Sequence, residues 1–80
     1  MKMIKTGRMY KHFKGGIYLV RHIAEHTETG EAIVVYSKLK SDGILEIKTY
    51  ARPYSKFISK VDKEKYPKAA QEYRFELIEE

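Results

Sequence analysis

Ile17-Tyr18-Leu19-Val20-Arg21-His22-Ile23-Ala24, then Thr27-Glu28-Thr29-Gly30, then Ile33-Val34-Val35-Tyr36: the fold is decided by this stretch. Both apolar runs are rich in β-branched and aromatic residues, which fit a pleated strand better than a helix. Gly15-Gly16 stands directly before the first run and stops any helix from entering it. Residues 17–26 therefore read as one long, bent strand. The Thr-Glu-Thr-Gly cluster supplies a turn, with glycine where a left-handed residue is needed. Glu31 to Lys38 follows as a second strand, its continuous apolar run typical of a strand covered on both faces. The two form a hairpin.

Toward the C-terminus, Ser41-Asp42-Gly43 is a second tight-turn signal. Beyond it Leu45, Ile47 and Thr49 alternate with Glu46 and Lys48, a period of two that predicts a half-buried strand with its apolar set on one face. Residues 17–50 thus make a three-stranded antiparallel meander. Arg52-Pro53 ends the third strand, because proline cannot donate to a ladder and holds its predecessor extended. The spacing of Pro53, Phe57, Ile58 and Val61 fits one or two helical turns that drop Phe57 into the core. Ser59-Lys60-Val61 begins a short strand, 62–72 is a polar loop with a helical turn after Pro67, and Tyr73 to Ile78 alternates as a closing strand. On the other side, Met9 to Phe13 is a short strand or an extended arm, and 1–8 a flexible N-terminal arm. The expectation is a single domain over 1–80, mainly β. It is a small SH3-like partly open barrel, or a strongly bent antiparallel meander with one short helix after Arg52-Pro53.

The 80-residue chain holds no cysteine, so neither a disulfide nor a thiolate contributes to stability or chemistry. Seven tyrosines and three phenylalanines supply bulky core material. No run approaches the roughly 20 apolar residues of a membrane span, nor the apolar segment of an export signal. A cytoplasmic location is the resulting expectation. The formal net charge is +5, and residues 1–24 carry Lys2, Lys5, Arg8, Lys11, Lys14 and Arg21 without one acidic residue. Such a basic end attracts phosphate-bearing partners, or simply makes a soluble surface of uneven charge.

Candidate chemistry gathers in two short segments. Lys14-Gly15-Gly16 either forms a backbone nest for an anion or is only a turn. His26-Thr27-Glu28-Thr29-Gly30-Glu31 either positions a His/Glu pair for acid–base work or is a charged hairpin tip. His22 and His26 lie four apart, about 13 Å along a strand at about 3.3 Å per residue. They cannot share one ion directly, and no zinc-type spacing is present, so no metal is expected. Tyr10, Phe13, Tyr18, Tyr36, Tyr50 and Tyr54 interleave with Lys and Arg, as core, as a stacking surface for bases, or as a peptide groove. Arg52 clamps an anionic ligand or ties down its turn.

Taken together, Gly7, Tyr10-Lys11-His12-Phe13-Lys14-Gly15-Gly16-Ile17-Tyr18, His26-Thr27-Glu28-Thr29-Gly30-Glu31, Val34-Val35-Tyr36, Ala51-Arg52-Pro53 and Arg74-Phe75 resemble the bacterial family called domain of unknown function 1653. The likeness runs from about Gly7 to Ile78. It implies a small, cytoplasmic, mostly β domain without an established activity, and it brings no catalytic residue with it. The chain departs from the family's pattern at Lys38 to Tyr50, where a short turn and a Trp- or aromatic-bearing segment are usual, and in a longer loop at 62–72.

The residues favour a binding module without catalytic groups or cofactor. Its candidate surface is Lys11, His12, Lys14, Tyr18, His26, Glu28 and Arg52, and its expected partner a nucleic acid or a phosphorylated small molecule. A protein-interaction domain or weak homodimer through a sheet edge is the alternative. A small hydrolase or transferase using His26 and Glu28 is the third reading. It lacks a nucleophile beside a base.

Overall fold

The computed structural model describes residues 3–78. Five strands form one antiparallel sheet: β1 (Met9–His12), β2 (Ile17–Glu25), β3 (Ala32–Leu39), β4 (Leu45–Pro53) and β5 (Phe75–Leu77). One short helix, α1 (Tyr54–Phe57), follows β4 directly. The spatial order is β4-β3-β2-β1-β5, so the expected meander sits on one side and the two ends of the chain close the other. The result is a mainly β, partly open small fold, in line with the sequence reading.

Each hairpin turn uses a side chain in place of a ladder partner. His12 Nδ1 accepts the N–H of Lys14 (3.1 Å), His26 Nδ1 that of Glu28 (3.2 Å), and Asp42 Oδ1 that of Ile44 (2.9 Å). A local acceptor two positions back offers the backbone an alternative to the sheet and so begins a turn. Gly30 and Gly43 follow at φ 73° and 83°, the left-handed conformation expected of them.

The sheet curls for two reasons. Arg21 is an extra residue in β2, where the register against β3 shifts between Val20 and His22, and such a bulge sharpens twist. Beyond α1, the chain returns to the segment entering β5: Lys60 bridges Tyr73, Val61 N–H donates to Glu72 (2.9 Å), and Arg74 N–H donates to Ser59 (2.9 Å). This draws the β4 side toward the β5 side. Tyr10, Val20, Val34, Tyr36, Phe57 and Phe75 are buried inside the curl. Phe57 is 0% exposed, as its spacing from Pro53 predicts, and its ring stacks on Phe75 at 4.0 Å.

Four expectations need correction. Leu45, Ile47 and Thr49 do not form the buried face of β4, since Ile47 is 102% exposed. Between Ser37 and Leu39 the register with β3 slips, leaving 46–48 opposite Lys38 alone. Strict alternation fails there, and beyond it Tyr50 and Arg52 face the core side opposite Tyr36 and Val34. Residues 62–72 form turns with no helix after Pro67, and Ser59–Val61 contributes a single bridge and no strand. The outer side of β3 is only half-buried at Ile33 and Val35.

Of the expected N-terminal arm, residues 1–2 lie outside the described residues. The rest runs along the sheet. Ile4 N–H donates to the Tyr54 hydroxyl, Lys5 N–H to the Tyr10 hydroxyl (both 2.9 Å), and Gly7 N–H to Val20 (2.8 Å).

Candidate functional site

The concave face carries the aromatic residues because strand pairing aligns them. Tyr10 lies opposite Tyr18, His12 opposite Phe75, and Tyr36 opposite Tyr50, and residues paired across strands share a face. Phe75 is the floor. Its ring centroid lies 4.8 Å from His12, 5.6 Å from Tyr18 and 5.6 Å from Tyr36, with the Arg52 guanidinium 5.6 Å away. Edge-to-face contacts at such distances fix the rings relative to one another. Phe75 and Tyr36 are buried, whereas His12, Tyr18, Tyr50 and Arg52 remain partly exposed above them.

Two guanidiniums lie at or beside this face and, among the described residues, form no ion pair with a carboxylate. Arg52 Nε donates to the Tyr36 hydroxyl and Arg74 Nε to the Ser59 hydroxyl, each at 3.1 Å. Among the described residues the ion pairs are Lys40–Asp42 and Lys60–Glu72, so neither arginine is neutralised by one. Each is thus oriented by a neutral oxygen while its terminal N–H groups keep their capacity for an anion.

His12 registers the same field. Partial burial holds its pKa below the usual histidine value, and the positive charges of Arg52, Arg74 and Lys14 lower it further. The turn adds a constraint in the same direction. A backbone N–H can only donate, so Nδ1 must keep its lone pair toward Lys14 while this bond stands. Both the bond at Nδ1 and the lowered pKa favour the neutral imidazole with its proton on Nε2.

Gly15 and Gly16 have separate jobs. Gly15, at φ 110°, makes the turn, and its N–H donates to His12 (2.8 Å). At Gly16 a Cβ would stand 2.9 Å from Cε1 of Tyr18, so the missing side chain is what lets the Tyr18 ring lie where it does. With the amides of Lys14 and Gly15 both bonded to His12, they are not free to form an anion nest.

Four of the seven residues singled out from sequence meet on or beside this face: His12, Lys14, Tyr18 and Arg52. Lys11 pairs with Ile17 and Glu76 and, by alternation, points to the opposite side of the sheet. His26 and Glu28 occupy the β2–β3 turn, three and five residues beyond Ile23, the β2 residue in the row of Val34 and Arg52. There it is the backbone N–H of Glu28 that meets His26. Sequence reading did not place Arg74 or Phe75 at a site, although the pair was among the residues of the family resemblance. The Arg-Phe pair directly before a closing strand was the available signal. It also missed Tyr66, whose ring packs on Phe13 at 4.9 Å with Lys14 Nζ 5.0 Å from its centroid. Hydrogen bonding from Lys14, ahead of the charges of Lys14 and Lys65, lowers its hydroxyl pKa.

Two shallow hollows flank the aromatic face. One, of about 800 Å³, lies along β5 beside Ile4, Tyr73 and Leu77; the other, of about 720 Å³, lies between Gly15-Gly16 and the Lys38–Gly43 turn. Among the described residues no group of three His, Asp or Glu side chains is placed to hold a metal ion.

The chain belongs to the family described as protein of unknown function (DUF1653), which it matches over residues 8–77. No curated protein and no solved structure gives a significant match. The matched span includes every residue of the aromatic face, from His12 to Phe75.

Proposed function

We propose that this domain is a binding module for a phosphate-bearing ligand, held by Arg52 and Arg74 beside neutral His12 on the concave aromatic face. One observation carries the reading: two guanidiniums, each oriented by a neutral hydroxyl and, among the described residues, without a carboxylate ion-pair partner, lie close enough to one partly buried imidazole to lower its pKa. A planar fork of donors matches a phosphate group, and a partly desolvated setting strengthens the contact relative to bulk water. Phe75 beneath Arg52 restrains the guanidinium by cation–π contact, so less freedom is lost on binding.

The test is an NMR titration with adenosine 5′-monophosphate, following the arginine Nε–H and backbone signals. Support is a saturable shift at Arg52, Arg74 and His12 that weakens with added salt and is lost in Arg52→Gln. Shifts confined to exposed lysines such as Lys63, or no shift, would overturn it.

A second reading, association through the open edge of β4, has one observation behind it. Ile47 is fully exposed between Glu46 and Lys48 on an edge strand. Light scattering would show a concentration-dependent dimer that Ile47→Lys abolishes, and a monomer at every concentration removes the idea.

A further inference from the structure

We infer that the ligand is a single-stranded nucleic acid, laid as an extended segment of about four nucleotides along a track of partly exposed rings. This rests on the phosphate site at Arg52 and Arg74 and goes beyond it in naming a polymer. The track runs Tyr66, Phe13, His12, Tyr18, Tyr50, with successive ring centroids 4.9, 4.6, 6.3 and 6.4 Å apart. It crosses from the 62–72 loop over β1 and β2 to β4.

Cations accompany the rings along the whole track. Lys14 Nζ lies 5.0 Å from the Tyr66 centroid and 5.8 Å from that of Phe13, and Lys65 Nζ lies 5.6 Å from Tyr66. In the middle Arg52 lies 5.6 Å from the Phe75 ring that His12 also packs on, the charge of Arg74 reaches His12 as well, and Lys48 Nζ lies 5.3 Å from the Tyr50 ring at the far end. A lone phosphate needs one such cluster. Rings and cations repeating together suit a chain that repeats base and phosphate, and every base has a π-face to stack. The surface offers ring faces and edges rather than a helix for a groove, and a duplex hides its base faces within its own stack. Glu46, which accepts a hydrogen bond from the Tyr50 hydroxyl at 3.3 Å, is the acidic side chain at the far end and limits the track there.

Fluorescence anisotropy with labelled oligothymidylates of about one, two, four and eight nucleotides tests this. Affinity is expected to climb with length up to about four and to gain little afterwards. Tyr66→Ala and Tyr50→Ala, at opposite ends, should each weaken the tetranucleotide by about tenfold, a larger loss than either causes for the mononucleotide. Thermal melts check that each variant is folded; if Tyr50→Ala is not, Lys48→Glu and Lys14→Glu make the same comparison by charge. Equal affinity at all lengths would overturn the track while leaving the phosphate site in place. Failure of every phosphate-bearing probe would remove both. Tighter binding of a duplex, or of a phosphopeptide of equal charge, would also overturn it.

Discussion

The turns at His12–Gly16 and His26–Glu31 are built on one plan. In each, the opening histidine N–H donates across the turn (to Gly16, 2.7 Å; to Glu31, 2.8 Å), its carbonyl accepts from a glycine, and its Nδ1 accepts from the residue two further on. Their surroundings differ. Around His12 stand Phe13, Tyr18, Phe75 and three cations, whereas the His26 turn is a solvent-facing tip whose flanking residues Ala24, Glu25 and Thr27 to Ala32 are exposed. Local chemistry makes both turns, and only the curl of the sheet makes one of them a candidate site.

The largest contrast is expected from the residues beneath the two turns. Phe75→Ala should cost about 3–5 kcal/mol, since it leaves a cavity under His12, Tyr18, Tyr36 and Phe57. Ile23→Ala, near the other turn and 39% exposed, should cost under about 1 kcal/mol. Urea denaturation measures both, and equal costs would erase the distinction.

Glycine substitutions sharpen the comparison. Gly30→Ala forces a side chain into positive φ with nothing nearby to clash, so about 1–2 kcal/mol of stability is lost and ligand binding is unchanged. Gly16→Ala meets the far end of the Tyr18 ring, which swings aside, so a stability cost of about 1 kcal/mol comes with a loss of binding. Melting curves and anisotropy on the same samples separate the two outcomes.

A smaller effect follows from protonation. The folded-state pKa of His12 is lowered, so its neutral form stabilises the fold fully above pH 6.5, its ordinary value, and that stability is lost as pH falls through the folded-state pKa. His12→Asn keeps a side-chain acceptor for Lys14 N–H without titrating. The variant should therefore flatten the fall in stability between neutral pH and about pH 5, measured as denaturation midpoint against pH.

The meander was readable because its punctuation is local: Thr29-Gly30 and Asp42-Gly43 dictate turns, and Pro53 sets the helix that buries Phe57. The face of β4 was not, because the slip opposite Lys38 depends on pairing with β3 and leaves no mark in the alternation of 45–49. Half of the site was legible for the same reason. His12, Lys14 and Tyr18 sit in one contiguous segment with glycines between them. Arg74, Phe75 and Tyr66 arrive from about fifty positions away or more, through the return of the chain after α1 to pair with β1. His26 and Glu28 looked similar in sequence because the turn plan is the same, and their place at the tip of the β2–β3 hairpin, beyond the row of Ile23, Val34 and Arg52, keeps them apart from the arginines.

The most direct measurement is a titration with a tetranucleotide, following the imidazole NMR signals of His12 and His26 in one sample. Binding at the Arg52–Arg74 face predicts that the His12 signals move saturably and that its pKa rises as the bound phosphates offset the positive field, while the His26 signals stay in place. Movement of His26 in step with His12, or of His26 alone, would contradict the assignment of the site to the concave face.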